Sequence, residues 1–285
     1  MMLVNAKEIL NKAYAEHYAV PHFNINSLEW VKAILDTMQE LNKSVILGVS
    51  EKAAEYFGGW KLVADIVKDY ISFKNITIPV VLHVDHGKSF ESCKNAIDAG
   101  FTSVMIDASS FSLEQNISIV KQVVEYAKTR NVSVEGEIGH ISTQEVGKEN
   151  VSVLADPEEC QIFVRETGID FLAPALGSAH GIYVSEPKLD FDRMKKISDL
   201  IKIPLVLHGG SGIPDDQIRK SIKNGISKIN VNTEFQQAFA DEIRNFLASD
   251  KNVYAYRKIM GIAMKALEKV AKNRCSVFDC REKEK

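Results

Sequence analysis

Three histidines in this chain each follow a short apolar run and stand next to a glycine: His86 in VVLHVDHG, His180 in FLAPALGSAHG and His208 in IPLVLHGGSG. Runs of β-branched and leucine residues read as strands buried on both faces, so a polar side chain just beyond each run projects from the carboxyl end of a parallel sheet. Three imidazoles converging there suit Zn²⁺ and leave a fourth position for water or substrate, the pattern of a catalytic zinc site. The other histidines carry less. His83 shares a strand face with Asp85 and fits a hydrogen-bonded core residue as well as a catalytic one. His17, His22 and His140 have no neighbours in the sequence that single them out.

Carboxylates accompany the histidines. Asp85 adjoins His86 and is placed to exchange a proton with a substrate oxygen, because a neighbouring cation keeps it ionised until charge transfers. Its other reading is to orient a metal ligand. Glu135 and Glu137 share one face of SVEGEIG, and two carboxylates inside a core need a cation or hydrogen-bond donors. HGGSG at 208–212 and INVNT at 229–233 each follow an apolar run. The amides of Gly209, Gly210 and Ser211, with the amides and hydroxyl at Asn232 and Thr233 entering a helix, together form a phosphate cradle that needs no net positive charge.

Eight strand-like runs position these groups, near 18–24, 45–50, 79–84, 103–107, 132–138, 170–174, 204–208 and 227–231. Amphipathic stretches at 27–42, 60–73, 89–99, 113–130, 157–167, 188–201, 214–224 and 233–248 fill the gaps. Eight alternations predict an α/β fold, a (β/α)8 barrel occupying the whole chain as one domain, with a helical extension over 252–285 ending in the charged tail REKEK, expected to be disordered. A doubly wound sheet would bring a glycine fingerprint after its first strand, and FNINSLEW has none. Helix starts are marked at Ser27, Ser89, Asp156 before Pro157, and Pro214. The stretch 139–155 lacks periodicity and reads as a loop over the catalytic face, a lid.

Composition narrows the partners. The 285 residues are 45% hydrophobic with a formal charge of −3 and interspersed signs, which argues against a nucleic-acid backbone as partner. No apolar run approaches the roughly 20 residues of a membrane span. The N-terminal residues lack a basic stretch followed by an apolar core, and the four cysteines lack CxxC spacing, so the expectation is a cytoplasmic protein with reduced thiols.

VVLHVDHG, AGFTSVMIDAS, VSVEGEIG, TGIDFLAPALGSAHG, EPKLDF, IPLVLHGGSGIP and KINVNTE, spread over residues 3–258, closely resemble the class II, metal-dependent ketose-bisphosphate aldolases that act on fructose or tagatose bisphosphate. The resemblance implies a zinc-dependent, reversible aldol reaction between dihydroxyacetone phosphate and glyceraldehyde 3-phosphate, with a cation as Lewis acid in place of a lysine Schiff base. It makes His86, His180 and His208 the zinc ligands, brings Glu137 to the metal site, and makes Asp85 the proton carrier at the aldehyde oxygen. Glu145 becomes the base at the carbon-bound proton. Gly181, Gly209, Gly210, Ser211, Asn230, Val231, Asn232 and Thr233 correspond to dihydroxyacetone phosphate contacts, Asn24 and Ser50 to further substrate contacts. Carbonyls near Gly181 and Gly209 correspond to a monovalent-cation site for Na⁺ or K⁺. The partners implied are phosphorylated sugars and copies of the chain in a homodimer or homotetramer.

The sequence departs from that family in three places. The lid usually reads Gly-Gly-Gln-Glu-Asp, whereas here it is Ser142, Thr143, Gln144, Glu145 and Val146, without the hinge glycines. After His180 the usual Gly-Pro-Tyr-Lys-Gly becomes Gly181, Ile182, Tyr183, Val184 and Ser185, losing a lysine near the first phosphate. Asp-Pro-Arg becomes Ala255, Tyr256 and Arg257, where Arg257 is expected to reach the second phosphate from its own or a neighbouring subunit. A barrel metal hydrolase also places histidines and an aspartate at strand ends, but it needs an HxH pair on the first strand and an aspartate on the eighth. Here those strands end in Asn24 and Asn230. A barrel that keeps the ligand site but has lost turnover through its altered lid is the remaining alternative.

Overall fold

The computed structural model describes residues 3–141, 153–183 and 185–279, so the lid residues Ser142 to Val146 and the tail REKEK lie outside the described residues. Eight parallel strands close into a barrel in chain order: β1 (Val20–Asn24), β2 (Val45–Val49), β3 (Val80–Gly87), β4 (Ser103–Ile106), β5 (Ser133–Ile138), β6 (Phe171–Pro174), β7 (Leu205–Leu207) and β8 (Ile226–Val231). Around them run α1 (Lys7–Glu16), α2 (Leu28–Glu40), α3 (Glu51–Phe57), α4 (Trp60–Phe73), α5 (Phe90–Ala99), α6 (Leu113–Lys128), α7 (Pro157–Thr167), α8 (Phe191–Ile201), α9 (Asp215–Lys223), α10 (Thr233–Ser249) and α11 (Tyr256–Phe278). The predicted (β/α)8 barrel with a C-terminal helical extension is the fold observed.

Two helices escape the sequence pattern. α1 precedes the first strand, and its buried residues Ala6 (its N-cap), Leu10 and Ala13 pack against inward-facing Val20, Ile46, Val81, Phe171 and Val206. It therefore plugs the amino-terminal mouth of the barrel. α3 is a short extra helix capped by Ser50, whose side chain accepts from the amide of Ala53. Among the expected caps, Ser89 and Asp156 accept amide hydrogen bonds from their helices. Ser27 donates to Glu29 instead, and Pro214 makes no side-chain cap.

Inside the barrel the period-two alternation sorts residues into layers. The lower layer is apolar. Above it the same strands turn His22, Asn24, His83, Glu135, Glu137, Lys228 and Asn230 inward, all of them buried. Gly48 on β2 makes room for this layer, since a Cβ there would lie 1.8 Å from Nε2 of His22.

Candidate active site

β3 carries the first departure from the expected geometry. The sequence places His86 beyond the strand end, but the structure keeps it within β3, in a break of register between Val84 and Gly87. His86 adopts φ 55°, a left-handed conformation that costs a non-glycine residue roughly 1–3 kcal/mol. Such a bulge lets two successive side chains face one side. Asp85 and His86 accordingly both turn toward the barrel mouth.

His180 and His208 join His86 from the segments after β6 and β7. Ring centroids lie 4.7 Å apart for His86 and His208, 4.9 Å for His86 and His180, and 5.6 Å for His180 and His208. Gly209, at φ 66°, permits the close approach, because a Cβ there would stand 2.2 Å from the carbonyl oxygen of Ala179. Tyr183 ties the two segments together: its hydroxyl accepts from the amide of Ala179 at 2.8 Å and donates to the carbonyl of Gly209 at 3.0 Å. That carbonyl, expected near a monovalent-cation site, thus already has a hydrogen-bond partner.

In His208 and His86 the partner of the second nitrogen fixes which nitrogen faces inward. Burial pushes the pKa of His208 well down, so the ring is neutral, and its Nε2 lies 2.7 Å from Oε1 of Glu135. That nitrogen carries the proton and donates it to the carboxylate, leaving a lone pair on Nδ1. In His86, burial opposes protonation, but the hydrogen bond to Asp107 and the charges of Asp85 and Glu137 outweigh it and raise the pKa to about 9. Its Nδ1 lies 3.2 Å from Oδ2 of Asp107, which directs Nε2 toward His208. Nε2 of His86 and Nδ1 of His208 then face each other at 3.0 Å. Protonated His86 donates to the His208 lone pair in the metal-free protein, and a divalent cation bound here would take the place of that proton. Burial, followed by the charge of His86, lowers the pKa of His180 to about 4, and its Nε2 is buried without a hydrogen-bond partner. The three rings offer ligand atoms that all lie within 4.8 Å of one another, so the donor set fits a divalent metal.

Glu137 sits elsewhere than beside all three imidazoles. It lies with Asp107 on the other edge of His86, where Oε2 is 3.9 Å from Nδ1, and His86, Asp107 and Glu137 form a second convergent set of ligand atoms. Burial, then the charge of Asp107, raises the pKa of Glu137 to about 8, and its Oε2 has no hydrogen-bond partner. Asp107, which also accepts from Lys88 at 2.7 Å, was missed from sequence. Its only signal was a polar residue closing the fourth apolar run.

Asp85 receives hydrogen bonds from Asn24 at 2.8 Å and Asn230 at 3.2 Å, one to each oxygen. Burial opposes its charge, yet the positive charge around it, carried by protonated His86 and the Lys228 ammonium, holds it well below the usual carboxylate range. It borders a cleft of about 740 Å³ together with Asn24, Ser50, Lys52, Asn232 and Tyr256. Lys52, exposed at the rim, is a cation that the sequence patterns did not single out. Arg257 is exposed and is not among the residues lining this cleft, whereas Tyr256 and Met260 of the same helix are. Glu145 lies outside the described residues.

The expected phosphate cradle assembles in part. Gly209, Gly210, Ser211, Asn230, Val231, Asn232 and Thr233 lie at the ends of β7 and β8, with Gly181 directly after His180. The amide of Gly210, however, donates to the carbonyl of Asn230 at 2.9 Å and is committed to the barrel. Ser211 accepts from the amide of Glu234 at 3.3 Å, tying the β7 segment to the start of α10. His83 resolves toward the core, with Nδ1 at 2.8 Å from the hydroxyl of Ser103, and His140 is exposed.

The family model described as fructose-bisphosphate aldolase class-II matches residues 4–283. The chain belongs to the class II fructose-bisphosphate aldolase family. A fructose-bisphosphate aldolase of Geobacillus stearothermophilus is 57% identical over 270 residues, covering 94% of each chain. One from Staphylococcus epidermidis is 52% identical over 280 residues and 98% of each. Among solved structures, the YdjI aldolase from Escherichia coli K12 aligns over 100% of both chains at 31% identity with a TM-score of 0.84. Class II aldolases are metal-dependent lyases, which accords with the three-imidazole cluster at the barrel mouth. No helix of the described residues is long and apolar enough to cross a membrane.

Proposed function

We propose that this chain catalyses the reversible cleavage of fructose 1,6-bisphosphate to dihydroxyacetone phosphate and glyceraldehyde 3-phosphate, with Zn²⁺ held by His86, His180 and His208. The observation that carries the reading is the convergence of three imidazole ligand atoms within 4.8 Å of one another, with Nε2 of His180 buried and unpartnered. A divalent cation held there supplies Lewis acidity toward the carbonyl oxygen of the sugar. Asp85, oriented by Asn24 and Asn230, takes the proton of the C4 hydroxyl as the C3–C4 bond breaks, and returns it in the condensation direction. The carbon-bound proton falls to Glu145 by family resemblance.

Gly181, the amides of Gly209 and Ser211, and the residues Val231 to Thr233 hold the phosphate of the dihydroxyacetone half. Gly210 contributes by shaping the turn, its amide being engaged. Ser50 and Lys52 line the cleft on the side of Asp85 and take the aldehyde half. Arg257, exposed and off its own cleft, serves the site of a neighbouring subunit in a homodimer or homotetramer.

The test combines metal analysis with an aldol-cleavage assay. Purified protein should hold about one Zn²⁺ per three-imidazole site, lose activity with EDTA, and resist borohydride in the presence of substrate. His180→Ala should lose metal and activity together. Activity that survives chelation, or inactivation by borohydride with substrate, overturns the reading.

A further inference from the structure

Lys228 is buried at the centre of the polar layer, and its surroundings give it more to do than neutralise a charge. Its side chain is 0% exposed, and the ammonium donates at 2.8 Å to Oε2 of Glu135 and at 2.8 Å to Oδ1 of Asn230. From Glu135 the contacts continue through Oε1 to Nε2 of His208 at 2.7 Å. From Asn230 they continue through Nδ2 to Asp85 at 3.2 Å. One ammonium therefore stands between a metal-site imidazole and the carboxylate that carries the substrate proton.

We propose that Lys228 is a positioning residue that sets both groups at once, an inference resting on the aldolase reading above. Toward Glu135, the ammonium occupies one oxygen and leaves the other to accept from His208, which fixes the tautomer that presents Nδ1 to the metal. Toward Asn230, a positive charge must face the amide oxygen and never the amide nitrogen, so the nitrogen is turned to Asp85 at 3.2 Å and to Nδ1 of His208 at 3.3 Å. A lysine serving only as counterion to Glu135 would account for the first contact and leave the second without a purpose.

The experiment uses the holoenzyme with Lys228→Met, which keeps the length of the side chain without its donors. Competition with a chromophoric chelator should show zinc affinity weaker by about 10–100-fold, the scale of a lost partner behind a metal ligand. Turnover of zinc-saturated enzyme should fall by about 10-fold or more with KM little changed, because Asp85 is misoriented and phosphate contacts are untouched. Asn24→Ala, which removes the other amide donor to Asp85, should reproduce the turnover loss with wild-type zinc affinity, separating the two branches. A folded Lys228→Met with wild-type zinc affinity, or with wild-type turnover, overturns the proposal.

Should that variant not fold, Lys228→Gln is the second variant, and side-chain ¹⁵N NMR of the wild-type enzyme is the independent measurement. The buried ammonium resonance should shift when zinc is removed, and a resonance that stays in place overturns the proposal. Wild-type protein that binds no zinc or cleaves no fructose bisphosphate would instead sink the functional reading. Wild-type protein that does both, matched by Lys228→Met, sinks only the role of Lys228.

Discussion

Replacing Asp85 by asparagine separates the chemistry of this carboxylate from its packing. Both oxygens accept from amide nitrogens, Oδ2 from Asn24 at 2.8 Å and Oδ1 from Asn230 at 3.2 Å. The substituted side chain would offer one oxygen and one NH₂, so one of those contacts becomes donor against donor, at a cost of about 1–3 kcal/mol in stability. Loss of the proton carrier should separately slow cleavage by about 10²–10⁴-fold, or roughly 3–5 kcal/mol of barrier. Metal content should stay at the wild-type level, since none of the three imidazoles is altered. The control is the exchange Asp85→Asn with Asn24→Asp, which returns a donor to face an acceptor at every contact but moves the carboxylate one hydrogen bond away from the substrate hydroxyl. Thermal stability should recover in the exchanged variant while turnover does not. The measurements are a coupled cleavage assay, metal analysis and thermal unfolding. An Asp85→Asn enzyme retaining more than a tenth of wild-type turnover, or an exchanged variant with turnover restored, would refute the assignment.

Gly48→Ala should destabilise the protein by about 1–3 kcal/mol, because the new methyl group meets the ring of fully buried His22 at 1.8 Å. An unchanged unfolding midpoint would show that the ring has room to move. The metal-free protein should lose stability as pH falls from about 6.5 toward 5. His22, His83, His180 and His208 are held neutral chiefly by burial, with folded pKa values below the unfolded 6.5, so the unfolded chain binds more protons in that window. Glu137, raised to about 8, and His86, raised to about 9, oppose this, two groups against four. Chemical denaturation with EDTA at pH 6.5 and 5.0 checks the sign, and equal or greater stability at the lower pH contradicts it.

Much of this arrangement is legible in the sequence because a buried parallel strand is locally recognisable. A run such as VVLHV or IPLVL needs no partner to declare itself, and the histidine after it marks the carboxyl end. The site residues least visible from sequence are those defined by closure of the barrel. Lys228 sits in ISKIN as an ordinary polar alternation, and only the pairing of β8 with β1 and β7 turns it onto Glu135. Asp107 gains meaning only when β4 sets it beside His86. The bulge at His86 has no sequence cue, since a histidine at positive φ is held by its surroundings. The engaged amide of Gly210 is equally hidden, because a glycine-rich turn looks the same whether its amides are free or bonded.

The barrel is closed by β1 pairing with β8, and the end of α11 is fastened below it where the amide of Ala19 donates to the carbonyl of Phe278 at 3.0 Å. During synthesis, β1 emerges with one edge and its apolar faces uncovered, and about 200 residues must follow before its second neighbour exists. At ribosomal rates of about 5–20 residues per second, that interval lasts roughly 10–40 s. An unpaired apolar edge is a template for the wrong strand. The nascent chain should therefore be a client for chaperones through most of its translation. Mutations that speed aggregation without touching the folded enzyme are to be sought in Val20–Asn24 and the strand that first covers it.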